Sequence, residues 1–140
     1  MAKGRILVFE DDIKTHLEAV RRIAVLGLSP KPQRDSHKVG VYLQKHGYTV
    51  IPVRPAQQTV LGEKAYPTLL DVPGPVDIVD AFINPARILP LAEDAVKIKP
   101  RLFWMQLGVE NGEAAKLLID AGIDVIMNRC IKIDHAKLIA

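Results

Sequence analysis

The sequence predicts a single doubly wound α/β domain, a sheet of about five parallel strands with helices on both faces. Three observations carry this. Short apolar runs recur at strand spacing, several are apolar throughout, and helical patterns lie between them. A run without alternation is buried on both faces, as in a parallel sheet covered by helices. Strand and helix in strict alternation then imply right-handed crossovers. At 140 residues the chain has the size of one ordinary domain.

Residues 1–21 read as an N-terminal segment with a leading helix, in which Ile13, Leu17 and Val20 share a face and Asp11 or Asp12 is available as cap. Residues 22–140 read as the core domain. Its first strand is "IAVLG" (23–27), followed by a loop and a helix carrying Val39, Tyr42, Leu43 and His46 on one face, with Ser36 as N-cap and Gly47 as stop. "YTVIPV" (48–53) is the second strand. Residues 56–75 hold several Gly and Pro and little periodicity, which predicts a crossover with at most a short helix. "VDIVDAFI" (76–83) is the third strand; Pro90 then fits the first turn of a helix bearing Leu91, Ala92 and Ala95. "LFWMQLG" (102–108) follows. Asn111 caps a helix with Ala114, Leu117, Leu118 and Ala121 on one side, Gly122 ends it, and "DVIM" (124–127) is the last strand.

Composition narrows the function. The net charge of +3 comes from scattered residues, so no nucleic-acid stripe is visible and a small anionic ligand fits better. The single cysteine, Cys130, forms no internal disulfide. There is no apolar run of the roughly 20 residues that span a bilayer, and no leader pattern, so the expected location is cytoplasmic, away from membranes. The four histidines lie on four separate segments and show no metal-ligand spacing. No metal is expected.

The opening "RILVFEDD" resembles the start of a response-regulator receiver domain, but the run that would be its third strand ends in "VRP" and supplies no aspartate to accept phosphate. Glu10, Asp11 and Asp12 read instead as a solvated first helical turn, favoured by the helix dipole.

In a doubly wound sheet, ligands lie beyond the carboxyl ends of the strands, here residues 27–38, 52–55, 83–87 and 106–111. The first of these loops, "GLSPKPQRDS", keeps Gly27 but has Ser29 at the second glycine position of a dinucleotide fingerprint and no third glycine. The second strand ends at Arg54, where NAD would need a carboxylate. What the loop offers is hydroxyls (Ser29, Ser36), cations (Lys31, Arg34, Lys38) and the free N–H groups of a helix N-terminus, the parts of a pyrophosphate site. Arg54 adds a bidentate grip on a further phosphate. NADP and coenzyme A both fit.

With "RIAVLGLSPKPQRDSHKVGVYLQKHGYTVIPVRP", "LGEKAYPTLLDVPGPVDIVDAF" and "FWMQLGVENGEAAKLLIDAGIDVIMNRCIKIDH" in this order, the chain resembles the small standalone CoA-binding proteins of Rossmann-type fold, relatives of the CoA-binding domain of the succinyl-CoA synthetase alpha subunit. The resemblance implies coenzyme A or an acyl-CoA as ligand, with its pyrophosphate against Gly27, Ser29, Arg34 and Ser36. It implies the adenosine end near Val53, Arg54 and Pro55, a cleft wall of Ile83, Asn84 and Pro85, and a far side closed by Gln106 and Gly108. The family's "PVNP" and "DRC" are "PVRP" and "NRC" in this chain, and "INPA" replaces its arginine-containing turn, with Arg87 close by.

The synthetase's catalytic histidine belongs to a second domain without a counterpart here, so the resemblance implies binding without catalysis, to buffer, sense or present CoA, with an unidentified protein partner possible. Three alternatives stay open: an NADP-dependent oxidoreductase, a CoA thiol-exchange protein using Cys130, whose pKa Arg129 and Lys132 would depress, and a subunit of a split acyl-CoA synthetase. His135 could pair with Cys130. His37 reads as a solvated first-turn residue, Asp77 as a strand-end hydrogen-bonding residue, Asp80 as a cleft-facing one and Trp104 as core.

Overall fold

The computed structural model describes residues 3–140; the first two residues of the predicted N-terminal segment lie outside the described residues. In chain order the elements are α1 (Glu10–Ala19), β1 (Arg22–Leu26), α2 (Asp35–Lys45), β2 (Thr49–Val53), β3 (Thr59–Val60), β4 (Glu63–Lys64), a 3₁₀ turn (Leu69–Asp71) and β5 (Ile78–Ala81). A second 3₁₀ turn (Pro85–Arg87), α3 (Ile88–Ile98), β6 (Leu102–Met105), α4 (Gly112–Asp120), β7 (Asp124–Ile126) and α5 (Ile131–Leu138) complete them. Five strands form one parallel sheet in the order β2-β1-β5-β6-β7. Strand order reverses beside β1, so the gap between the β1 and β5 exits is the place such a sheet offers a ligand.

The strands are buried on both faces because their residues are apolar on both. Leu26, Ala81, Phe103 and Met105 pack towards α3 and α4. Val25, Ile78, Leu102 and Trp104 pack towards α1, α2 and α5. Small residues (Ala92, Ala95, Ala114, Ala115) let α3 and α4 sit close to each other and to the sheet.

Several local expectations hold. Asn111 accepts from the Ala114 N–H, Pro90 lies in the first turn of α3, and Gly47 (φ 90°) follows α2. Others need correction. Ser36 is inside α2 rather than capping it, since Arg34 holds the cap position and the Ser36 hydroxyl turns back to the preceding loop. Asp11 and Asp12 lie in the first turn of α1 behind an uncapped Phe9. The stretch 56–75 contains the antiparallel β3–β4 hairpin, and the C-terminal residues form α5. "RILVFEDD" is no core strand: Ile6 makes a single parallel bridge to Val125 at the sheet edge, and Glu10 pairs with Lys137.

Leu118 is fully buried between α4 and the sheet. Leu118→Ala should lower unfolding free energy by about 2–5 kcal/mol, read from urea titrations, because both transfer energy and packing are lost.

Candidate functional site

The site begins at a turn only glycine fits. Gly27 has φ 77°, and a Cβ there would lie 2.5 Å from the Phe82 carbonyl oxygen at the exit of β5. Its N–H donates to the Val53 carbonyl, so one residue ties the exits of β1, β2 and β5 together. The loop beyond it is braced from within. The Ser29 N–H donates to the Ser36 hydroxyl (3.0 Å), the Lys31 N–H donates to the Ser29 hydroxyl (3.1 Å), and His37 Nδ1 donates to the Ser29 carbonyl (2.9 Å). His37, half-buried in the first turn of α2, is therefore also a brace of the loop. Arg54 crosses from the end of β2, its Nη1 donating to the Gly27 carbonyl at 3.1 Å.

Two cavities of about 480 Å³ each open side by side over these strand ends. Gly27, Arg54 and Phe82 line both. One is polar, with Ser29, Lys31, Arg34 and Ser36 in its wall; the other, more apolar, takes Val53, Pro55, Ile83 and Asn84. Ten of the residues singled out from the sequence thus meet around one cleft. Gln106 lines a third cavity beyond Phe82. Pro85 and Gly108 lie in none of the three: the Pro85 carbonyl accepts from Asn111 Nδ2, and the Gly108 N–H donates to Asn128 Oδ1 at 2.7 Å. Asn128, at φ 57°, thereby fastens the β6 exit loop, a role suited to asparagine's tolerance of left-handed backbone.

Phe82 was missed in the sequence because it reads as a core residue at the end of a strand, yet it lines all three cavities. Arg87 lines the apolar cavity, as its nearness to "INPA" suggests.

Asp80 is not cleft-facing. It is fully buried in β5, takes a hydrogen bond from Gln106 Nε2 on Oδ1, and its Oδ2 has no partner among the described residues. Burial pushes its carboxyl up from the ordinary 3.8 to about 7, and the Gln106 bond opposes this in part. Asp77 behaves as read: one carboxylate oxygen accepts the N–H groups of Arg21 and Arg22. Trp104 is core, with its indole N–H on the Arg129 carbonyl.

The premise of the thiol-exchange alternative, a depressed Cys130 pKa, is reversed. Burial raises its thiol pKa above the ordinary value. Arg129 is turned away in a two-point bond to Asp134 (2.8 Å for each contact). His135 bonds the Tyr42 hydroxyl through Nδ1 at 2.8 Å, which leaves it serving α2 rather than the thiol.

Strand order, crossovers and a ligand-sized cleft at the reversal point place this chain among the Rossmann-like α/β folds. More narrowly, it belongs to the CoA binding domain family, whose model matches residues 21–136. The uncharacterized protein YneT of Bacillus subtilis is 42% identical over 125 residues, covering 89% of this chain and 93% of its own. A hypothetical protein from Pyrococcus horikoshii has a solved structure that superposes with a TM-score of 0.93 at 37% identity over 100% of both chains. The ADP-forming acetate–CoA ligase I of Archaeoglobus fulgidus is 25% identical over 129 residues, 83% of this chain and 18% of the ligase. The chain therefore spans under a fifth of that enzyme. Among the described residues no helix is long and apolar enough to cross a membrane.

Two outcomes follow from the titratable groups. From about pH 4 to about pH 7 the folded chain keeps a proton on Asp80 that the unfolded chain has lost. Wild-type stability should therefore fall relative to Asp80→Asn as pH rises through this window, by about 1.4 kcal/mol per pH unit, and level off above it. Urea titrations across the range measure this. Iodoacetamide should alkylate Cys130 more slowly at pH 7.5 than it does free cysteine, with the inflection of rate against pH displaced upward.

Proposed function

We propose that this protein binds coenzyme A or an acyl-CoA across the carboxyl edge of its sheet, without turning it over. The observation that carries this reading is the pair of adjoining cavities around Gly27, one lined by Ser29, Lys31, Arg34 and Ser36 and the other by Val53, Pro55, Ile83 and Asn84. Membership of the CoA binding domain family supports the choice of ligand.

The pyrophosphate lies in the polar cavity. Backbone N–H groups at the start of α2, the Ser29 hydroxyl and the Lys31 and Arg34 cations favour an anion there, Ser36 bracing the loop that presents them, and the helix dipole has the matching sign. Adenosine takes the apolar cavity, between the β2 exit and Ile83–Asn84, where hydrophobic walls suit a base. Arg54 stands between the two and, from its anchor on Gly27, grips a phosphate near the ribose. Pro85 and Gly108 hold the surrounding turns. The polypeptide's part is recognition: the Cys130 thiol stays protonated and the Asp80 carboxyl is enclosed, so neither attacks a thioester. The protein buffers, senses or presents its ligand, and a protein partner receiving that ligand fits the same reading.

Isothermal titration of ligand-stripped protein tests this with CoA, desulfo-CoA and NADP. Saturable binding of CoA and desulfo-CoA alike, with no heat from NADP, is the expected result, and Arg34→Ala should weaken CoA by about tenfold or more, the effect of losing one charge-assisted bond. Binding of NADP in place of CoA would overturn the ligand assignment.

A further inference from the structure

The third cavity, of about 340 Å³, lies between the N-terminal half of α2, the β6 exit and the start of α5. Val39, Phe82, Leu107, Cys130 and Ile133 make its wall mostly apolar, with Gln106 as the main polar group deep in the site. It shares Asp35 and Phe82 with the polar cavity, so a ligand with its phosphates there reaches this one by passing these two residues. Leu107 and Ile133 are 59% and 57% exposed, large apolar side chains left facing water beside this opening.

We infer that this cavity receives a short, uncharged acyl group carried on coenzyme A, so that the protein's ligand is an acyl thioester rather than the free thiol. The inference rests on the CoA reading above and adds the class of acyl group. Apolar walls reward methylene groups in proportion to the surface they remove from water. Gln106 provides the polar contact. Its amide nitrogen is held by Asp80 behind it, and its carbonyl oxygen is the atom left to accept the N–H of the pantetheine arm just before the thioester. Asp80 fixes that orientation and has no role in the ligand contact. The charged groups of the lining, Asp35, Lys38 and Lys132, are all exposed, so they stand on the solvent side of the cavity, where water screens them, while the enclosed part offers an acyl carboxylate only apolar walls and an amide.

Calorimetric titration of the intact protein with CoA, acetyl-CoA, butyryl-CoA and succinyl-CoA tests this. Butyryl-CoA should bind about tenfold more tightly than acetyl-CoA, the effect of burying roughly two further methylene groups. In the Leu107→Ser/Ile133→Ser variant, altered only at exposed side chains, that ratio should shrink to about twofold or less. Equal affinity for acetyl- and butyryl-CoA, tightest binding of succinyl-CoA, or an undiminished ratio in the variant would each overturn the inference while CoA binding itself stood. Failure of every CoA compound to bind would remove the CoA reading, and this inference with it.

Discussion

The close passage of the backbone at Gly27 against the Phe82 carbonyl is the constraint from which the site is built. At 2.5 Å from an added Cβ, and with φ at 77°, the position excludes any side chain. That contact brings the first loop down onto the gap between β1 and β5, and the loop's inner bonds then have something fixed to work from. Ser36, Ser29 and His37 close on one another, and Arg54 is drawn in by the same Gly27 carbonyl. The polar wall of the cleft is thus preformed by main-chain geometry, which leaves its cations free for a ligand.

A second feature runs against ordinary stability. The Asp80–Gln106 pair joins β5 to the residue just past β6 among apolar neighbours, and one carboxylate oxygen has no partner among the described residues. Burying such a group costs free energy that a Leu or Val there would not. A chain that keeps it gains an oriented amide at the strand edge, since a glutamine held on one side presents its other atom in a fixed direction.

Much of this was legible in the sequence. Continuous apolar strands, helical spacing and the Gly, Pro and Asn punctuation specify the sheet and most helices, because both faces of each strand must be apolar when helices cover both. The hairpin at 59–64 was not legible: two-residue strands are too short to show alternation. Nor was α5, where "IKIDHAKL" mixes charge into every turn and carries only a weak apolar stripe. At the site, hydroxyls and cations in a loop announce themselves by type, whereas Phe82 does not, since an aromatic residue at a strand end looks the same in a core as between cavities. Asp80 was misjudged in direction only. Period-two alternation puts it on the face shared with Ile78, under α2 and α5, and not at the strand's open end. Cys130 shows the limit of reading charge from neighbours: Arg129 adjoins it in sequence but gives its guanidinium to Asp134.

An open parallel sheet has two outer strands whose unpaired peptide groups invite a neighbouring molecule to continue the ladder. Here the chain itself meets each flank at one bridge, Ile6 on Val125 and Tyr66 on Val53. Beside β7, Arg5 and Leu7 exchange main-chain hydrogen bonds with Val125 on either side of the Ile6 bridge. Beside β2, Tyr66 exchanges bonds with Pro52 and Arg54, and Pro52 has no N–H to offer a further strand. The pieces that look least like the fold, an N-terminal tail and a Gly/Pro-rich crossover, therefore cap part of each sheet edge, and trimming either would lengthen the open edge with which another strand can pair.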